Sequence, residues 1–133
     1  MIDPLPQRLA DLPTSGVYIA LFELPQTRRI RVGRLGIITF APGVYAYVGS
    51  AQRNLPARLS RHARRHKPRR WHIDYLSTQA AMIGAIAIEG HKSLECRLAT
   101  MLAKNDATPV PKFGCTDCRC PSHLFRLAGP AGY

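Results

Sequence analysis

Acidic side chains are scarce in this sequence: 8 Asp and Glu among 133 residues, against 19 Lys and Arg. From Leu24 to Ile73 there is none at all. That same stretch carries twelve of the basic residues: Arg28, Arg29, Arg31, Arg34, Arg53, Arg58, Arg61, Arg64, Arg65, Lys67, Arg69 and Arg70. Mixed-sign charge would solubilise a surface equally well, so a one-signed field of this size points to a polyanion whose counterions it displaces. Nucleic acid is the expected partner, DNA before RNA. Long apolar runs are missing as well. None approaches the ~20 residues that cross a bilayer, and no large apolar face accompanies the positive charge, which speaks against a membrane surface. The opening Met1-Ile2-Asp3-Pro4 is acidic and contains proline, so it does not read as a secretory signal. The expected compartment is the cytoplasm, where the four cysteines, Cys96, Cys115, Cys118 and Cys120, would be reduced.

What is present suits one domain. The length leaves little room for a second, and 46% apolar residues are enough for a core. Residues 1–15, with Pro4, Pro6 and Pro13, read as a lead-in segment, 16–127 as the domain and 128–133 as a tail. Gly16 to Leu24 is β-branched, aromatic and apolar on both faces, as a buried strand would be. Arg29 to Leu35 alternates charged and apolar residues and reads as a half-exposed strand, extended by Gly36 to Phe40. Val44 to Val48 is a third strand, ending at Gly49-Ser50. Leu55 to His66 reads as a helix with Asn54 as N-cap, Pro56 in its first turn and Pro68 closing it. Trp71 to Leu76 is a short helix and Ala80 to Ile88 a core strand. Ser93 to Lys104 is a helix capped by Ser93, with Leu94, Leu98, Met101 and Leu102 as its buried stripe. Ser122 to Leu127 is a last strand. The expected fold is a small α/β (α+β) domain with a short, mainly antiparallel sheet flanked by helices.

Hydrolysing a phosphodiester needs an activated water, a cation to take up developing negative charge and a held phosphate. At about 100° per residue, Arg58, Arg61 and Arg65 share one face of their helix and Leu55, Leu59 and Ala63 a neighbouring one, with His62 on the border. The leucines would be buried, and Arg58 and His62 would line the rim of a cleft. Arg offers a permanently charged fork for phosphate oxygens. Arg53, Arg61, Arg65, Lys67, Arg69 and Arg70 are the expected nucleic-acid contacts. Glu95 lies at the edge of its helix's apolar stripe. A carboxylate half-turned toward a core needs a partner, and a hard cation, Mg²⁺ or Mn²⁺, is the natural one. The bland alternative is a first-turn Glu acting on the helix dipole. Trp71 is a packing anchor or a base-stacking platform.

The ordered set Gly16-Val17-Tyr18, Tyr47-Val48-Gly49, Arg58 to His62 and Glu95 resembles the GIY-YIG nuclease family. The longer blocks Tyr45 to Ala51, Arg61-His62, Trp71 to Leu76 and Cys115 to Phe125 are similar to the small Uri-superfamily endonucleases within it. The resemblance spans roughly residues 16 to 127. It implies a metal-dependent endonuclease with catalytic Tyr18, Tyr47, Arg58, His62 and Glu95, one Mg²⁺ or Mn²⁺ on Glu95, and a phenol that orients or deprotonates the attacking water. A free phenol titrates near ~10, so neighbouring Arg and metal charge would have to lower it. Tyr45 alternates with Tyr47 and is an alternative contributor. Two departures stand out. Tyr18 and Tyr47 are 29 positions apart, much farther than the usual motif sets them, which requires an inserted hairpin turn or long excursion over Gln26 to Phe40. Ser50 stands where relatives often carry Lys. The family's late Asn finds its nearest match in Asn105, or a replacement in His123.

Cys115-x2-Cys118-x-Cys120-x2-His123 holds four potential Zn²⁺ ligands, but within nine residues, whereas structural zinc sites more commonly draw two pairs from separated segments. The other reading is reduced cysteines in a compact turn with His123 facing the cleft. Two rivals to the nuclease follow: a non-catalytic nucleic-acid-binding module and a zinc-stabilised interaction domain.

Overall fold

The computed structural model describes residues 12–115 and 120–127. The expected tail, the first eleven residues of the lead-in and Cys118 lie outside them. Strand β1 (Gly16–Leu24) is an inner strand of a five-stranded antiparallel sheet. On one side it pairs with β4 (Gly43–Ala51), with Tyr18 opposite Gly49, Ala20 opposite Tyr47 and Leu24 opposite Gly43. On the other side it pairs with β5 (Ala81–Ile88). Short strands β6 (Thr108–Pro109) and β7 (Leu124–Arg126) complete the order β5-β1-β4-β7-β6. Between β1 and β4 the chain makes a separate hairpin, β2 (Arg28–Arg31) and β3 (Ile37–Phe40). The sequence suggests one extended strand here. Instead a 3₁₀ turn at Gly33–Leu35 reverses the chain, with Gly33 at φ 48° and Gly36 at φ 83°, a region that glycine enters without steric cost. Ile30, Val32 and Phe40 are buried, so the hairpin adds to the core.

Helix α1 (Leu55–Ala63) is shorter than its expected span to His66. Lys67 Nζ donates to the carbonyls of Arg61 and His62 and so satisfies the last turn. Asn54 is not a side-chain cap: it sits at φ 52°, a left-handed conformation Asn tolerates, and Leu55 N–H bonds the Thr14 carbonyl. Leu12 packs on the core just before this point, so the end of the lead-in belongs to the domain. Helix α1 buries Leu55, Leu59 and His62, and α2 (His72–Ser77) buries Ile73 and Leu76, against Tyr18, Ala20, Phe22 and Leu24 of β1.

Helix α3 (Ser93–Lys104) packs on the other face, where Ala99, Ala107 and Phe125 form a smaller cluster with Leu102 and Leu127. Ser93 is its first residue rather than its cap, and Met101 is 57% exposed rather than buried. The helix rests on β4, β1 and β7, and the side that carries Met101 is left to solvent, so the stripe is narrower than expected. Strand β5 is likewise an edge strand rather than a core one, with Ile83, Ile86 and Ile88 exposed. Among the described residues no helix is long and apolar enough to cross a membrane.

Candidate active site

Side chains of a strand alternate between faces, so Tyr18 and Ala20 of β1 and Tyr47 and Gly49 of β4 all point toward α1. Gly49 lies directly opposite Tyr18, and a Cβ there would stand 2.5 Å from the Tyr18 hydroxyl. The missing side chain makes room for the phenol. The Tyr18 hydroxyl lies 2.7 Å from His62 Nε2, inside the core. The ring centres of Tyr18 and Tyr47 are 6.4 Å apart, and those of Tyr47 and His62 are 5.7 Å apart. Tyr45 points to the same side, but its hydroxyl donates to the Ala41 carbonyl at 2.6 Å and its ring packs on Phe40. It is a structural residue.

Burial raises the pKa of both Tyr18 and Tyr47, and the Arg58 charge offsets this only in part. Both phenols are therefore neutral in this site: the arginine charge lowers them, but by less than burial raises them. His62 is driven the other way, to about 3, chiefly by burial and then by the Lys67 charge, so its imidazole is neutral too. Its Nδ1 is buried with no hydrogen-bond partner among the described residues.

Arg58 is half-buried at the border of this cluster. Its guanidinium donates to the Ser50 carbonyl at 3.3 Å and sits 4.7 Å from the centre of the Trp71 ring. Arg61 approaches the same ring at 4.6 Å. Trp71 is thus a cation-holding platform that fixes where both guanidinium groups lie. Arg61 is otherwise committed: it grips buried Asp74 with both terminal nitrogens, at 2.7 and 3.1 Å. Asp74 also accepts the backbone N–H groups of Arg70 and Trp71. The one acidic residue that ends the basic tract is spent on pinning α2 to α1.

Glu95, in the first turn of α3, is joined to the group through two partners. Ser50 Oγ donates to Oε1 at 2.7 Å, and His123 Nδ1 lies 2.6 Å from Oε2. Ser50 thus links the acid through its hydroxyl and Arg58 through its carbonyl. Alternation sends the Ser50 side chain to the α3 face, so Glu95 meets the phenols across strand β4; its negative charge acts on both of them. Burial would raise the Glu95 pKa, but the hydrogen bonds from His123 and Ser50 hold it below the usual carboxylate range. Glu95, Ser50, His123 and Cys96 line a cleft of about 400 Å³. Asn105 follows α3, exposed and bonded to the Met101 carbonyl, whereas His123 lies beside Glu95.

The remaining predicted cations divide. Arg53, Arg69 and Arg70 are exposed, Arg69 lying over the Tyr75 ring, and exposed Arg65 donates to the Thr78 carbonyl. Lys67 caps α1, and its pKa falls to about 8 through burial. In the cysteine block, Cys115 lies near the Phe113 carbonyl. Cys96, Cys120 and His123 form a group that could hold a metal ion, their ligand atoms all within 4.8 Å of one another. This differs from the four-in-nine reading: Cys96 joins from α3. Ser50, Asp74 and Cys96 are the residues sequence reasoning missed as partners. Adjacency of Ser50 to Tyr-Val-Gly and of Cys96 to Glu95 was the available signal.

A small mixed α/β domain thus carries its tyrosine, histidine and arginine cluster at one end of the two central strands of an antiparallel sheet. Residues 17–131 match the family described as domain of unknown function DUF123, and the chain belongs to that family. No curated protein and no solved structure matches it.

Proposed function

We propose that the chain is a metal-dependent endonuclease of the GIY-YIG type, akin to the small Uri-superfamily enzymes, that hydrolyses phosphodiester bonds in nucleic acid, DNA before RNA, in the cytoplasm. One observation carries this reading: Tyr18, Tyr47, Arg58 and His62, drawn from three elements, meet in one cluster to which Ser50 joins Glu95. The chain's net charge of +11 supplies the attraction for a polyanion.

Each residue has a task in that reading. Arg58, permanently charged and at the cluster's border, holds a phosphate oxygen. Tyr18, held by its hydrogen bond with the neutral imidazole of His62, orients the attacking water through its hydroxyl. Tyr47 packs against the rings of both. Glu95 is ionised, lies in a cleft and offers oxygen atoms, each with a lone pair beyond its present hydrogen bond. That donor suits Mg²⁺ or Mn²⁺, which take few carboxylates and keep several waters. When bound, such an ion would supply Lewis-acid charge for the reacting oxygens. Arg53, Arg65, Arg69 and Arg70 flank the site for phosphate contact, whereas Arg61 and Lys67 act on the fold.

A second reading, a binding module without turnover, is favoured by the neutral, buried phenols and by Glu95 having two partners already. Labelled single- and double-stranded DNA incubated with Mn²⁺ separates the two. Cleavage abolished by chelator and by Glu95→Ala is expected of the nuclease. Cleavage that persists in Glu95→Ala, or tight chelator-insensitive binding with no cleavage of any substrate, would refute it.

A further inference from the structure

We propose that Cys96, Cys120 and His123 form a binding site for a thiophilic divalent cation, Zn²⁺ in the first place, with Glu95 positioning His123 from the outer shell. This goes beyond the nuclease reading, whose hard cation would use carboxylate oxygen and water.

The three ligands come from two separated segments. Cys96 sits on α3 one residue after Glu95, while Cys120 and His123 precede β7. Their ligand atoms lie within 4.8 Å of one another. Tetrahedral zinc with its usual Zn–S and Zn–N bond lengths spaces such atoms roughly 3.3–3.8 Å apart. Closing the set therefore takes a shift of about 1 Å, within the reach of side-chain torsions. His123 is 3% exposed and Cys96 and Cys120 are half-buried, so the site is sheltered from bulk water.

The second observation is the 2.6 Å approach of His123 Nδ1 to Glu95 Oε2. Metal-ligating histidines commonly give one ring nitrogen to a carboxylate, which fixes the ring and the tautomer and presents the other nitrogen as a stronger ligand. Here the carboxylate is itself held by Ser50. Two thiolates and one imidazole form a soft donor set that selects Zn²⁺ over Mg²⁺. Their two negative charges are also favoured inside a strongly cationic chain. Cys96 and His123 line the 400 Å³ cleft, so a fourth position opens onto it for water.

The test uses the full chain, reduced and stripped of metal, titrated with Co²⁺ as a spectroscopic stand-in and then with Zn²⁺. One Co²⁺ per chain should bind, with the intense visible bands of a tetrahedral site and sulfur-to-cobalt charge transfer, and Zn²⁺ should bleach both. Cys96→Ser and Cys120→Ser should each remove roughly half of the charge-transfer intensity. Glu95→Gln should weaken affinity about 10- to 100-fold while leaving the charge-transfer intensity at saturation unchanged. A weak octahedral spectrum, no binding, or a spectrum unchanged in the Cys96→Ser/Cys120→Ser double variant would overturn the proposal. So would a Cys96–Cys120 disulfide persisting in the protein isolated without oxidant. The cobalt spectrum is read independently of DNA cleavage, so either idea can fail alone.

Discussion

Tyr18 on strand β1 and His62 on helix α1 share a hydrogen bond of 2.7 Å although 44 positions separate them, and both are almost wholly buried. The bond joins an inner strand of the sheet to the helix that carries Arg58. It also sets two neutral titratable groups side by side, each shifted by burial away from its ionised form.

That shift makes stability depend on pH. The folded pKa of His62, about 3, lies below the ~6.5 of an unfolded histidine. The unfolded chain then binds a proton that the folded chain refuses. Stability is fully present above pH ~6.5 and declines as pH falls toward 3, by at most ~1.4 kcal/mol per pH unit. Urea unfolding at pH 7 and pH 5 should show a loss on the order of 2 kcal/mol in the wild type that His62→Gln lacks. Equal pH dependence in the two proteins would contradict the buried neutral imidazole.

Tyr18→Phe keeps the ring and removes the hydroxyl. In the nuclease reading, cleavage of DNA should fall by about 100-fold or more, with oligonucleotide affinity almost unchanged. Single-turnover rates and filter binding measure the two separately, and parallel losses would assign Tyr18 a structural part only.

Asp74→Asn should cost about 3 kcal/mol, because it strips the negative partner from a mostly buried Arg61. Burial pushes the Asp74 pKa up, but the hydrogen bonds from Arg61 and from the N–H groups of Trp71 and Arg70 outweigh it and leave it lowered. This contribution is present above the unfolded carboxylate value of ~3.9 and is lost as pH falls through the lower folded value. Denaturant midpoints should also show that Arg61→Met in the same chain recovers much of the Asn loss.

Gly49→Ala places a methyl against the Tyr18 hydroxyl. The phenol must move, at about 1–3 kcal/mol, and the bond to His62 lengthens. Thermal unfolding and cleavage should both suffer; an unchanged melting point would show that the pocket yields more easily than its packing suggests.

Oligonucleotide affinity should fall steeply with salt. Replacing Arg53, Arg69 or Arg70 by Ala should lower the slope of log affinity against log salt by about one each. Arg61→Ala should instead lower stability, since its charge is engaged by Asp74.

Much of this was legible in the sequence. Strands β1 and β4 announce themselves by composition, and α1 by the spacing of Leu55 and Leu59. The convergence of Tyr18, Tyr47, Arg58 and His62 follows from the motif order. What sequence concealed was set by tertiary pairing. Nothing local shows that Arg61 belongs to Asp74, or that Ser50 and His123 share Glu95. The apolar run at β5 looks like a core strand because apolarity alone does not reveal whether a second neighbour is present. Over Gln26 to Phe40 the sequence left a hairpin turn and a longer excursion both open, because Gly33 and Gly36 mark a reversal only when positive φ is used there. How far burial raises the phenols was hidden too, because desolvation depends on packing, which a sequence does not display.

The hairpin leaves β1 at Leu24 and rejoins at Gly43, the end of the strand pair opposite to Tyr18 and Gly49. Ladder register, not contour length, therefore decides how close the two phenols stand. Residues added beside exposed Arg34, at the turn of the hairpin, would leave the phenols in their places, so a motif search that insists on a fixed gap between its tyrosines measures the detour rather than the destination.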